Sequence, residues 1–353
     1  MGGFVRHRIR DLALVAAALL ALTARPALAD DALTFTLAKN LPPLMNTLNL
    51  VAEGAGLYRE ERLRVTTRFT DQSIQTLGSC TSGQSDICPE PIEPLLEHYD
   101  DGVRLKMFLT STDSFHVVIA VPADSPVKTL ADLKGKSIGV HVSTGASGVF
   151  PTQSALAAVG VKPGETTMVT VGMNQQAMDA LASGKVAALG LPTYELVPFI
   201  AAGAKLRLLR NPTLGRVANI GYAAAPSVIA ATPAALGRFS RAIVKASLLI
   251  RYNPTAAARA FLTAKGEPFT EADVGRIAAD FTAWQDDLPA SDPANPRIGE
   301  VKPREIRRYI RLLVDAGVMK RSIPVSEVVT GQFVAVANDF DRGAFEAWAK
   351  AMR

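Results

Sequence analysis

Leu130-Ala131-Asp132-Leu133-Lys134-Gly135-Lys136-Ser137-Ile138-Gly139-Val140 reads as a helical turn that stops at a glycine and feeds straight into a strand. On either side of it the chain alternates short apolar runs with helical stretches from residue 31 to about residue 204. That alternation is the mark of βαβ units and a largely parallel sheet. Two sets are expected. The first has strands at 33–38, 63–69, 85–88 and 104–110 with helices at 48–59, 73–80 and 92–98. The second has strands at 137–140, 166–171, 186–191 and 206–209 with helices at 147–159, 175–183 and 194–202. Residues 114–121, rich in β-branched types and ending at Pro122, read as a strand leading from one set to the other, and 221–230 as an extended return. Two crossings make a hinge, because a few strand-end residues absorb rotation while the packed bodies stay rigid.

Beyond the return the chain is mostly helical, with starts signalled by Thr232-Pro233, Asn253-Pro254 and Thr270 three residues before Asp273. Residues 305–317 set Ile306, Ile310 and Leu313 on one face, away from most of the arginines, and end at Gly317, which makes a packing helix. Residues 288–303 carry four prolines and read as an ordered loop over the first set.

The N-terminus has Arg6, Arg8 and Arg10, an apolar run from Leu12 to Leu22, and Ala27-Leu28-Ala29 before Asp30. This is the three-part pattern of a secretory signal peptide over residues 1–29, cleaved after Ala29. The apolar run is short for a bilayer span, and no later stretch approaches the ~20 apolar residues a membrane helix needs. Cleavage removes four arginines and one aspartate, so 38 basic and 33 acidic side chains become 34 and 32, and the net charge falls from +5 to +2. Such a balance gives no argument for nucleic-acid or membrane-surface binding. The remaining length suits two domains. The two cysteines, Cys80 and Cys88, are close in sequence and bound for an oxidising compartment. A local disulfide and two free thiols are both open readings, since pairing needs Cα atoms within ~7 Å. His98, His116 and His141 are scattered and have no ligand-like spacing to the cysteines, so no metal and no cofactor are expected.

Signs of catalysis are missing together. Ser147 in Gly145-Ala146-Ser147-Gly148 misses the nucleophile elbow, because Val149 stands where a glycine is needed. Gly135-Lys136-Ser137 lacks the earlier glycine of a phosphate loop, where Leu130 stands instead. Asp286 and Asp287 are neighbours at a helix end and read as solvated charges.

Several phrases, in order, resemble the nitrate/taurine/sulfonate type of ABC-transporter substrate-binding protein, a family that includes binders of thiamine-precursor pyrimidines. They are Ala52-Glu53-Gly54-Ala55-Gly56-Leu57-Tyr58 followed by Leu63-Arg64-Val65, Ser82-Gly83-Gln84-Ser85-Asp86-Ile87, the 130–140 stretch, and Ala180-Leu181-Ala182-Ser183-Gly184-Lys185-Val186-Ala187-Ala188. The resemblance implies an α/β, two-lobed type II periplasmic-binding-protein fold, each lobe a mainly parallel sheet flanked by helices, with a two-crossover hinge. Lobe I would be 30–114 with 220–353, and lobe II 115–219. It implies a monomeric periplasmic protein that binds one small organic molecule (a sulfonate, carboxylate or pyrimidine-like compound) between the lobes without chemistry and delivers it to an inner-membrane permease. Two rivals share the shape: an enzyme like the thiamine-pyrimidine synthases, and the ligand-sensing component of a signalling system.

Ligands of open α/β sheets sit beyond the carboxyl ends of the strands. The expected cleft residues are therefore Asn40, Leu41, Pro42 and Leu44 after the first strand, Cys88, Pro89 and Glu90 after the third, and Thr110, Ser111 and Thr112 after the fourth. From the second set come Ser143, Thr144, Gly145, Ala146 and Ser147, with His141 before them, and then Thr193, Tyr194 and Glu195. Hydroxyls and free N–H groups at 143–147 suit an anionic group, although Ser143 is also read as a plain helix cap. Tyr194 is read either as a ring against the ligand or as a core tyrosine, and His116 as a core or hinge residue. Glu90 departs from the family pattern and opposes a simple anion unless it is paired or protonated. With Glu195 it suits a ring nitrogen or amine instead, while a hinge salt bridge is the other reading of Glu90.

Overall fold

The 130–140 stretch does what its pattern requires. Leu130–Leu133 forms one tight turn, held by a reciprocal cap in which Thr129 and Asp132 each bond the other's backbone, and Leu130 and Leu133 are buried. Gly135 takes a left-handed φ of 76° and its N–H bonds the Glu165 carbonyl at 2.7 Å, which aims the next residues into a strand. The computed structural model of the chain describes residues 30–38, 46–112, 115, 117–141, 149–172, 174–212, 214, 217 and 220–353. Residues 1–29, expected as a signal peptide, the expected cleft residues 40–44 and 143–147, Ser114 and His116 lie outside the described residues.

In chain order the first elements are β1 (Asp31–Ala38), α1 (Thr47–Gly54), α2 (Leu57–Glu60), β2 (Leu63–Thr70), α3 (Ser73–Thr81), β3 (Cys88–Pro91), α4 (Ile92–Glu97) and β4 (Lys106–Thr110). The expected single helix over 48–59 is two helices, because Gly56 sits at φ 73° and breaks the run. The third strand lies later than expected: Cys88, Pro89 and Glu90 are in β3 itself rather than in a loop after it. There follow β5 (Val117–Pro122), β6 (Ser137–Val140), α5 (Val149–Ala157), β7 (Thr167–Thr170), α6 (Gln175–Ala182), β8 (Ala188–Pro192), α7 (Thr193–Ala201), β9 (Leu206–Leu209) and β10 (Ile220–Ala224). The extended return is shorter than the sequence suggested. It stops at Ala224, and Pro226 opens helix α8 (Pro226–Ala231) from its first turn, where a missing N–H costs nothing.

One sheet has the order β7-β6-β8-β5-β9, with β6 parallel to β7 and β8, and β5 antiparallel to β8 and β9. Its faces bury different sets, as period-two strands require. Val118, Ala120, Leu189 and Leu191 pack with Ala177, Ala180 and Leu181 of α6. Ile119, Val121 and Ile138 pack with Leu130, Leu133, Ala155 and Leu156. A three-stranded sheet has the order β3-β10-β4, with β10 antiparallel to both neighbours. An isolated parallel bridge, Phe35 to Ile87, joins the two-stranded β1-β2 sheet to its approach. Each crossover strand thus runs against otherwise parallel partners.

The C-terminal helices α9 (Pro233–Tyr252), α10 (Pro254–Lys265), α11 (Glu271–Trp284) and α12 (Pro303–Asp315) cover these smaller sheets. Asn253 accepts from the Ala256 N–H, and Thr270 and Asp273 close a capping box, so both starts are satisfied as expected. The proline-rich 288–303 loop lies on β4, with Gly299 accepting the Thr110 N–H at 2.9 Å. Lys245 of α9 is buried and paid for by Glu60 at 2.7 Å and Glu61 at 3.0 Å, with Arg241 also on Glu61.

Helices α1 and α10 touch through Gly54, where a Cβ would stand 1.9 Å from the Ala260 carbonyl oxygen. Gly54→Ala therefore has to part the two helices, at about 1–3 kcal/mol or more, read as a lower denaturant midpoint. Cys80 and Cys88 form a disulfide, with Cα atoms 6.3 Å apart, which ties α3 to β3. Reducing it should cost about 2–3 kcal/mol in the same assay.

Candidate functional site

The chain leaves β4 and returns at β10 through one hydrogen-bonded clasp. The Thr110 hydroxyl lies 2.8 Å from the Ile220 carbonyl and 2.6 Å from that of Thr112, so its single proton has two acceptors within reach. Its oxygen accepts the Thr112 N–H, and the Ser111 N–H bonds the Ile220 carbonyl at 2.8 Å. Of the three predicted residues here, Thr110 and Thr112 spend their hydroxyls on backbone. Gly221 is required beside them, because a Cβ would stand 2.3 Å from the Leu109 carbonyl oxygen.

Glu90 lies in β3 opposite Gly221 and is 1% exposed. Its Oε1 has no hydrogen-bond partner among the described residues. Burial without compensation pushes its carboxyl up to about 8, so at neutral pH it is mostly protonated and uncharged. This setting fits the protonated alternative raised for Glu90, and no ion pair of its side chain is seen among the described residues.

Three residues on, Glu93 is fully buried in the first turn of α4 and accepts the Tyr309 hydroxyl of α12 at 2.7 Å. Burial first, then the Glu93 charge, holds that phenol well above its usual range. The Tyr309 ring meets Phe115 edge-on at 5.6 Å and Phe150 of α5 at 6.1 Å. From the larger sheet, Tyr194 in the first turn of α7 has its phenol raised by burial and by the charges of Glu195 and Glu93. Helices α4, α7 and α12, drawn from three parts of the chain, therefore converge on one group of phenols and carboxylates.

Glu195 is 4% exposed, and its Oε2 lies 2.6 Å from Nε2 of His141, which follows β6. Its Oε1 and the neighbouring Thr193 hydroxyl are buried without a partner among the described residues. Chemically, this pair can hold a proton between carboxylate and imidazole, and the free oxygen can accept a hydrogen bond. Glu93, Tyr309, Phe115 and Phe150 were missed by sequence reasoning. Tyr309 sits in an aliphatic stripe with Ile306, Ile310 and Leu313, and its polar handle was the available signal. Among the described residues no group of His, Cys, Asp or Glu is placed to hold a metal, and no helix is long and apolar enough to cross a membrane.

Mixed α/β sheets flanked by helices, each threaded by an antiparallel crossover strand, define a periplasmic-binding-protein fold. Within that class the chain belongs to the NMT1/THI5-like family, whose model matches residues 46–257. It is 24% identical over 291 residues to the riboflavin-binding protein RibY of Chloroflexus aurantiacus, covering 80% of this chain and 81% of that one. The periplasmic aliphatic sulphonate binding protein SsuA from Escherichia coli shares the fold with a TM-score of 0.62 at 18% identity, over 85% of this chain and 92% of that one. The desulfurization enzyme DSZB, in complex with biphenyl-2-sulfinic acid, does so with a TM-score of 0.55 at 16% identity, over 87% and 99%.

The raised Glu90 carboxyl has a sign. Folding holds a proton that the unfolded chain releases near 4.5, so its stabilising contribution is complete below that pH and is lost as pH climbs to about 8. Wild-type stability should fall by up to about 1.4 kcal/mol per pH unit across that window. Glu90→Gln should flatten the slope, checked by urea midpoints at pH 5, 6.5 and 8.

Proposed function

We propose that this chain is the solute-binding component of an ABC importer, taking one small organic molecule between two lobes and releasing it unchanged to an inner-membrane permease. The lobes are 30–114 with 220–353, and 115–219. Residues 1–29 act as the export signal that brings the mature monomer to the periplasm.

The observation that carries this reading is the pair of buried oxygens, Glu195 Oε1 and Thr193 Oγ1, without a partner among the described residues, beside the Tyr194, Glu93 and Tyr309 group. A buried acceptor left unmade costs about 1–3 kcal/mol, and a bound molecule with a hydrogen-bond donor relieves it. The site is rich in carboxylate acceptors and phenol rings, while Glu90 is neutral. That favours a ring bearing N–H or O–H groups, such as a pyrimidine or the flavin named for RibY, over a bare inorganic anion. Asn40, Leu41, Pro42 and Leu44, and Ser143 to Ser147, are proposed to complete the contacts. An anionic tail such as a sulfonate or carboxylate would take the 143–147 loop. The short His141–Glu195 contact favours a second reading, an enzyme in which the imidazole moves a proton, as the fold of DSZB allows.

The test is a thermal-shift screen of refolded mature protein against pyrimidines, riboflavin, aromatic and aliphatic sulfonates, carboxylates and inorganic anions. One compound should shift the melt at micromolar levels and be recovered intact. Glu195→Gln should weaken it about 10–100-fold, as loss of a charged hydrogen bond does. Conversion of the compound would establish the enzyme reading, and silence across the panel would remove the binding one.

A further inference from the structure

A cavity of about 670 Å³ opens beside β1 and β2, apart from the carboxylate and tyrosine group. Its floor is apolar, made by Leu37 of β1, Leu50 of α1, Val65 and Phe69 of β2, and Phe261 and Ala264 of α10. The volume lies within the roughly 300–1,000 Å³ of small-molecule sites. A core that merely packed badly would have a soft wall, but here one wall is braced. Asn49 is 1% exposed and Asn46 4%; Asn49 accepts the Tyr58 hydroxyl at 2.7 Å and donates to Asn46 at 3.0 Å and to Thr67 at 3.2 Å. The other wall is fixed by the close α1–α10 approach at Gly54, so the cavity cannot collapse by sliding the helices together.

Phe69 supplies an independent sign of a ligand. It is 56% exposed, one of few large apolar side chains left in water among the described residues, and it stands at this cavity. Covering half of a phenyl ring returns apolar area at about 25 cal/mol per Å², which a bound ring or chain would recover. The rim sets the charge preference. Lys265 is spoken for by Glu267 at 3.2 Å, while Glu53 stays exposed yet is desolvated enough for its carboxyl to titrate above the ordinary range, against the pull of Arg59. Among the described lining residues the one cation, Lys265, is paired, whereas the carboxylates of Glu53 and Glu267 accept hydrogen bonds.

We propose that the α1–β2–α10 cavity is a second small-molecule site, which takes an uncharged aromatic or amphipathic compound bearing an N–H or O–H donor. Its occupancy is independent of the site between the sheets.

The probe is N-phenyl-1-naphthylamine, an uncharged two-ring amine whose fluorescence rises in apolar surroundings, titrated into the mature protein. A saturable one-site rise is expected. Ala264→Trp, which fills the cavity, should weaken it at least tenfold, and Phe69→Ala, an exposed truncation that leaves the core alone, about threefold or more. Tyr194→Phe and Glu195→Gln should leave it unchanged. 1-Naphthol should displace the probe, and naphthalene-1-sulfonate should need at least tenfold more. The proposal is overturned by a rise that does not saturate, by equal binding in Phe69→Ala and a folded Ala264→Trp, by loss of binding in the Tyr194 or Glu195 variants, or by equal displacement by the sulfonate.

Discussion

Everything in this fold passes through the clasp at Thr110, Ser111, Thr112 and Ile220. The chain must leave one sheet after β4 and re-enter it at β10, which runs against both its neighbours, without leaving backbone groups unpaired. One threonine hydroxyl and two N–H groups do this at the point where β4 ends and β10 begins. Gly221 lets β10 lie tight against Leu109 and Met107 there. Loosening the clasp would free the register of β10, and with it the positions of Pro89 and Glu90 across the ladder.

From that point the polar interior is distributed by burial. Glu90 has an Oε1 without a partner among the described residues and stays mostly protonated at neutral pH; Glu93 has Tyr309; Glu195 has His141. Three buried carboxylates thus meet three environments, and their differences come from neighbours rather than from residue type. The charged pair at Lys245 and Glu61 is a different case, a structural cross-brace between α9 and the end of α2.

Much of the fold was legible because periodicity and punctuation agreed. The 130–140 turn and strand, the parallel set around β6, and the capped starts at Asn253 and Thr270 all follow local rules. Where reading failed, two local signals conflicted. The apolar run after Gly221 looks extended until Pro226 is weighed as a helix opener, and the Leu48 to Arg59 run looks helical until Gly56 is allowed its left-handed turn. The candidate site could be named only where its residues directly follow a strand. Thr193, Tyr194 and Glu195 follow a strand and could be named, but Glu93 and Tyr309 are 216 residues apart and meet only through the tertiary fold. Each alone reads as an ordinary helical residue.

The bridge between Cys80 and Cys88 sits eight residues of sequence from end to end and directly precedes Pro89 and Glu90. Thiols stay reduced in a cytosol and oxidise outside it. On the proposed export route, a newly made chain awaiting translocation carries an unfastened third strand, and the buried Glu90 is fastened in place only on arrival. Chemistry of the compartment, rather than the sequence alone, decides when the fold is finished.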